Sequence, residues 1–90
     1  MRFAIICQDK PGHLQTRLDN RAAHLAYIQA TGCVEMAGPF LDSLGQMSGS
    51  LLILDLGSLA EAEAWATADP YGKAGLFASV AVSEWKKVIG

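Results

Sequence analysis

Residues 50–56 read Ser-Leu-Leu-Ile-Leu-Asp-Leu. The uninterrupted apolar run Leu51–Leu54 predicts a strand that is buried on both of its faces. An antiparallel strand with one solvated face would instead alternate apolar and polar residues. We therefore expect this segment to lie in the middle of a sheet and to need apolar neighbours on both sides.

The chain before this strand predicts one strand and one long helix. Arg2–Gln8 is rich in aromatic and β-branched residues and is followed by the turn-forming residues Asp9–Gly12. Apolar residues then recur at helical spacing, which predicts a helix over Leu14–Thr31 whose apolar face packs on the sheet. Gly32 supplies the C-terminal stop of this helix. The apolar positions of its predicted inner face are Leu14, Leu18, Ala22, Leu25 and Ile28.

Around residues 50–56 the pattern predicts a hairpin, a second helix and a last strand. Cys33–Phe40 is interpreted as a strand that a loop, Leu41–Gly49, joins to Ser50–Leu56. Ser58 and Glu61 have capping-box spacing, so a helix should run from there to about Thr67. Asp69-Pro70-Tyr71 ends this helix, because proline disfavours helical backbone at the preceding residue. Residues 77–88 alternate well enough to predict the final strand.

The predicted order βαββαβ indicates a single α+β domain over residues 1–90, folded as a ferredoxin-like sandwich. In this fold the first and third strands occupy the middle of a four-stranded antiparallel sheet, and both helices pack on one face. The other face stays uncovered, yet the central strands are apolar on that side too. We therefore expect a homodimer that packs sheet against sheet.

Composition excludes other classes of function. A net charge of −2 and a pI near 5.5 argue against nucleic-acid binding. No apolar run approaches the roughly 18 residues that a membrane span needs, and no secretory signal pattern is present, so we expect a cytoplasmic protein. Cys7 and Cys33 are interpreted as reduced, buried thiols, and no cysteine or histidine spacing suggests a metal site.

The topology collects polar residues at one end of the sheet. His24 is the chemical focus, because histidine, with a pKa of about 6.5 in model peptides, is well suited to proton transfer near neutral pH. A carboxylate on its other ring nitrogen would fix its tautomer, and Asp69 is the first candidate and Asp9 the second. The predicted substrate-binding residues at this end are Asp9, Arg17, Arg21, Gly38, Pro39, Ser50 and Tyr71.

These residues leave two interpretations open. A histidine and an aspartate 45 positions apart match no fixed catalytic motif. One hypothesis is a cofactor-independent enzyme in which His24 is general acid or base, Arg17 and Arg21 hold an anionic or phenolate oxygen, and Ser50 donates a hydrogen bond. The alternative is a non-catalytic, small-ligand-binding or accessory module in which His24 and Asp69 form only a structural hydrogen bond.

An ordered set of short segments resembles the YciI-like (YCII-related) family along nearly the whole chain. The segments are Gln8–Gly12, Arg21–Leu25, Ala37–Pro39, Gly49-Ser50, Asp69–Tyr71 with Ala74-Gly75, and Trp85–Val88. The resemblance implies a ferredoxin-like fold of the dimeric α+β barrel group and no cofactor.

The resemblance also implies a chemistry. It places the family's proposed His-Asp active site at His24 and Asp69 and suggests acid–base chemistry on a small organic molecule. Related chemistry is known in a member that removes chloride from a hydroxylated aromatic ring and in muconolactone isomerase-like relatives. The Leu41–Met47 loop looks shorter than in many relatives, so the resemblance does not identify a substrate.

Overall fold

A computed structural model describes residues 1–90 as an α+β sandwich with one four-stranded antiparallel sheet. The elements are β1 (Arg2–Asp9), α1 (Leu14–Thr31), β2 (Val34–Leu41), β3 (Met47–Asp55), α2 (Leu59–Ala68), α3 (Pro70–Lys73) and β4 (Phe77–Trp85). The sheet order β2-β3-β1-β4 confirms the predicted ferredoxin-like arrangement, with the first and third strands in the middle. No helix is both long enough and apolar enough to cross a bilayer.

The register of the sheet explains the apolar run in β3. Leu52 pairs with Ile5 of β1, and both side chains enter the core cluster beneath the helices together with Leu54, Cys7 and Trp65. The alternate residues of β3 point to the opposite, uncovered face, where Leu51 pairs with Ile6. The strand is apolar on both sides because one side packs in the core under the helices and the other lies on the uncovered face of the sheet.

The hairpin between β2 and β3 is tighter than the sequence indicates. We predicted a loop over 41–49, but β2 continues to Leu41 and β3 begins at Met47. The Asp42 carboxylate accepts hydrogen bonds from the backbone N–H groups of Leu44 and Gln46, at 2.9 and 3.0 Å. Because this side chain closes the turn within a few residues, the strands can pair up to its edges.

A short helix that the sequence did not reveal follows α2. Asp69 ends α2 and begins α3, since its carboxylate accepts a hydrogen bond from the Tyr71 N–H at 3.0 Å and Pro70 occupies the first turn. The last strand ends at Trp85 rather than Val88. Tyr71 is fixed by this helix instead of lying in an open loop.

The inner face of α1 differs from the one that the apolar pattern predicts. Leu18 and Leu25 are 45% and 49% exposed, whereas Arg17 and His24 are the buried residues of the helix. Polar side chains can take the inner positions because each has hydrogen-bonding partners there, and no buried side-chain nitrogen or oxygen lacks one. The helix is thus rotated so that Arg17 and His24, rather than Leu18 and Leu25, face the interior.

The uncovered face of the sheet carries large apolar side chains. Ile6 of β1, Met36 and Phe40 of β2 and Trp85 of β4 belong to the exposed apolar residues of the chain. Their pairing with Leu51, Ile53, Gly49 and Arg2 places them on the side of the sheet away from the helices. We refer to these four residues as the open-face cluster.

The two free cysteines should differ strongly in reactivity. Burial raises the pKa of the Cys7 thiol to about 12, with a further contribution from the negative charge of Asp69. At pH 8 almost no thiolate forms at Cys7, and the thiolate is the nucleophile. We expect iodoacetamide to label the partly exposed Cys33 first and Cys7 only after unfolding, as measured by peptide mass spectrometry. Equal labelling rates in the folded protein would contradict this prediction.

Candidate active site

The side chains of His24 and Asp69 meet between the two helical segments. His24 lies in α1, and its Nδ1 is 2.7 Å from Asp69 Oδ1, although the residues are 45 positions apart in sequence. Both side chains are buried. The same Asp69 oxygen accepts the hydrogen bond from the Tyr71 N–H. The start of α3 therefore holds the carboxylate that binds the imidazole.

This contact determines which nitrogen of His24 is available for chemistry. An ionised carboxylate only accepts hydrogen bonds, so Nδ1 carries the proton in this pair and Nε2 is the unprotonated nitrogen of the neutral ring. Nε2 makes no hydrogen bond within the chain. Because every buried side-chain nitrogen and oxygen has a hydrogen-bond partner, Nε2 is not a buried atom. It therefore remains accessible from the cavity that His24 lines.

Tyr71 fixes the plane of the imidazole. The ring centroids of Tyr71 and His24 are 3.9 Å apart with an angle of 16° between the planes, which is a stacked arrangement. The Phe77 ring packs against Tyr71 in a T-shaped arrangement. Burial raises the pKa of the Tyr71 hydroxyl, so the ring is neutral near pH 7. Tyr71 thus contacts His24 through its side chain and holds Asp69 through its backbone.

A buried ion pair lies beside this group. Arg17 Nε and Nη2 donate to the two carboxylate oxygens of Asp9, each at 2.8 Å, and Nη2 also donates to Ser50 Oγ at 2.9 Å. Burial lowers the pKa of the guanidinium, but the hydrogen bonds and charge of Asp9 outweigh this effect and the pKa is raised overall. The Arg17 guanidinium carbon is 4.8 Å from the centroid of the Tyr71 ring. Arg17 is therefore charged, paired and fixed.

A cavity of about 190 Å³ opens next to these residues, between α1 and the β2–β3 hairpin. The predicted site residues that line it are Arg17, Arg21, His24, Gly38, Pro39, Ser50 and Tyr71. Asp69 and Asp9 do not line it, because they lie behind His24 and Arg17. The structure thus separates the two carboxylates that the sequence left as alternatives: Asp69 contacts His24, and Asp9 contacts Arg17.

The apolar walls of the cavity were not predicted from the sequence. They are formed by Leu25, Ile28, Ala37, Met47 and Leu52. Helical spacing offers a signal for Ile28, which follows His24 by four residues on the same face of α1. Met47 could not be found in this way, because the residues around it were interpreted as a loop.

Comparison with known proteins places the chain in a family. A model described as the YCII-related domain matches residues 1–86. The chain belongs to the YCII-related domain family. This YCII-related chain is 41% identical to Protein YciI of Escherichia coli O6:H1 and to Protein YciI of Shigella flexneri, over 98% of the chain and 99% of each relative. An uncharacterized protein of Haemophilus influenzae is 38% identical over the same shares.

One solved structure is similar to this YCII-related chain over nearly its whole length. It is the structure of 5-chloro-2-hydroxyhydroquinone dehydrochlorinase from Burkholderia phenoliruptrix AC1100 in complex with 2,5-dihydroxybenzoquinone. The TM-score is 0.88 and the sequence identity is 41%. The match covers 96% of this YCII-related chain and 94% of the other. A crystal structure of an antibiotic biosynthesis monooxygenase has a TM-score of 0.60 but 10% identity, so that likeness concerns the fold alone. The family and the fold expected from the sequence are therefore confirmed.

Proposed function

We propose that this protein is a cofactor-independent enzyme that performs acid–base chemistry on a small, cyclic or phenolic molecule, as a lyase, isomerase or dehydrochlorinase. The observation that carries the proposal is the hydrogen bond between His24 Nδ1 and Asp69, which leaves Nε2 facing a cavity. In the proposed mechanism Nε2 takes a proton from the bound molecule, and Asp69 stabilises the imidazolium that forms. His24 then gives the proton to the product, or to solvent when the leaving group is chloride.

The surroundings of His24 support this role. The stacked Tyr71 ring and the capped Asp69 carboxylate restrict the imidazole to one orientation, which a positioned proton acceptor needs. The apolar walls of the cavity give a ring-shaped substrate a surface to pack against. In this proposal Arg21, Gly38, Pro39 and Tyr71 contact the substrate, whereas Asp9, Arg17 and Ser50 hold the wall of the site in place.

The similar Burkholderia structure gives the first compounds to test. That protein is named for its action on 5-chloro-2-hydroxyhydroquinone and was solved with 2,5-dihydroxybenzoquinone. The experiment is a turnover screen of chlorinated and unchlorinated hydroxyquinols and related lactones, followed by chloride release and by absorbance. We expect at least one compound to be consumed at a rate that depends on His24. Tight binding of such compounds without turnover would favour the non-catalytic alternative instead.

We also propose that a second copy of the chain covers the open face of the sheet. Ile6, Met36, Phe40 and Trp85 form an apolar surface there, and monomeric proteins rarely expose a large contiguous apolar patch. An identical sheet offers the same apolar surface to the first one, so a two-fold dimer covers both at once.

We expect light scattering after size-exclusion chromatography to give a mass twice the chain's 9.6 kDa. Ile6→Glu should shift the mass toward that of one chain, because it places a charge in the centre of the interface. Leu59→Glu is the matched control, since Leu59 is an exposed residue at the start of α2 on the helical side. A wild-type protein that stays monomeric at high concentration would contradict the dimer.

A further inference from the structure

The cavity next to His24 is lined by basic side chains and by no carboxylate. The charged and basic side chains that line it are Arg17, Arg21 and His24, and no aspartate or glutamate is among its lining residues. The nearest carboxylates, Asp9 and Asp69, point away from the cavity toward Arg17 and His24. A molecule that enters therefore meets cations and the basic Nε2 atom.

Arg17 has few free hydrogen-bond donors for a ligand. It donates two hydrogen bonds to Asp9 and one to Ser50, its guanidinium lies against the Tyr71 ring, and it is only 3% exposed. The charge of Asp9 neutralises it at contact distance. Arg17 therefore serves as part of the cavity wall, and of the two arginines expected to hold an anionic oxygen Arg21 is the one with free donors.

Arg21 is the unpaired cation of the cavity. It forms no hydrogen bond or salt bridge within the chain, and it is exposed. It precedes His24 by three residues in α1, so the two side chains share one face of the helix with Cβ atoms about 5 to 6 Å apart. Both side chains line the same cavity, so a group bound by the Arg21 guanidinium lies in the cavity that Nε2 faces.

The size and walls of the cavity restrict the ligand further. Its volume of about 190 Å³ is below the roughly 300 to 1,000 Å³ of pockets for drug-sized ligands. Leu25, Ile28 and Leu52 line it with apolar surface. A single substituted ring fits such a space, whereas a nucleotide exceeds it.

We propose that the site binds small, single-ring monoanions, phenolates or carboxylates, with the anionic oxygen on Arg21 and the opposite part of the ring toward His24 Nε2. This inference rests on the proposed function, because it assigns the substrate class of the same site. The inference and the proposed function concern different residues. Arg21 selects the charge of the ligand, whereas His24 moves a proton of the ligand.

Benzoate and benzamide test the charge selection, because the two molecules share a ring and nearly the same size but only benzoate is ionised at pH 7.5. Affinities are measured by NMR titration for the wild type, for Arg21→Met and for Lys86→Met, which removes the same charge from the far end of β4. We expect the wild type to bind benzoate about tenfold more tightly than benzamide, the order of one charge-assisted hydrogen bond. Arg21→Met should lose that preference, and Lys86→Met should keep it.

Three results would overturn the inference: no saturable binding of benzoate to the wild type, equal affinity for benzoate and benzamide, or a benzoate preference that survives Arg21→Met. Circular dichroism verifies that each variant is folded. His24→Gln keeps Arg21 and should keep the benzoate preference, so the anion site is measured independently of turnover. If turnover proves independent of His24 while Arg21 still selects benzoate, the proposed function fails and this inference stands.

Discussion

His24→Gln is expected to lower kcat about 10²- to 10⁴-fold on any compound that the wild type converts, the usual contribution of a positioned acid–base residue. This corresponds to about 3 to 5 kcal/mol of lost transition-state stabilisation. Glutamine can still fill part of the imidazole's space and hydrogen-bond to Asp69, but it cannot accept a proton near neutral pH. Steady-state kinetics over a range of pH gives the measurement.

Two further variants make this prediction specific. His13→Gln replaces the chain's other histidine, whose Nδ1 lies 2.9 Å from the Pro11 carbonyl and which does not line the His24 cavity. It should leave kcat unchanged. Asp69→Asn keeps an N-cap residue for α3 but removes the charge that stabilises the imidazolium, so it should lower kcat with little loss of stability.

The competing structural hypothesis makes the opposite prediction. If the His24–Asp69 hydrogen bond only links α1 to α3, His24→Gln lowers Tm and leaves turnover intact. A reduced Tm with unchanged kcat would therefore rule out the catalytic role of His24.

Arg17→Met is expected to destabilise the protein by about 3 to 5 kcal/mol, because it leaves the Asp9 carboxylate buried without a partner. At about 4 °C per kcal/mol for a domain of this size, Tm should fall by about 12 °C or more. Thermal unfolding followed by circular dichroism measures the change. The low exposure of both side chains, 3% for Arg17 and 7% for Asp9, is what makes the loss large.

Arg2→Met is the matched control for this prediction. Arg2 pairs with Glu35 at the same N···O distance, 2.8 Å, but these side chains are 38% and 29% exposed. An exposed pair contributes about 0 to 1 kcal/mol, so Tm should change little. The double replacement Arg17→Met with Asp9→Leu should recover much of the loss, since it removes both buried charges. Similar Tm changes for Arg2→Met and Arg17→Met would contradict the proposed role of burial.

The sequence by itself determined the four strands and the two longer helices, and their order. Leu51–Leu54 identified the central strand, Ser58 and Glu61 the start of α2, and Gly32 the end of α1, where the structure has a left-handed residue at φ 65°. These signals are local, because each depends on backbone conformation or on side chains within a few residues. They were sufficient to predict the ferredoxin-like sheet, and the family resemblance agreed with them.

Only the tertiary structure decided the rotation of α1 and the partners of its polar residues. The apolar spacing placed Leu18 and Leu25 inside, but the helix buries Arg17 and His24. The Arg17 guanidinium is hydrogen-bonded to Asp9 and Ser50, and His24 Nδ1 is hydrogen-bonded to Asp69. Those partners come from β1, β3 and the start of α3. The apolar spacing of a helix depends only on the sequence of that helix. The free energy of burying a polar group depends instead on the hydrogen-bonding groups that other elements place next to it.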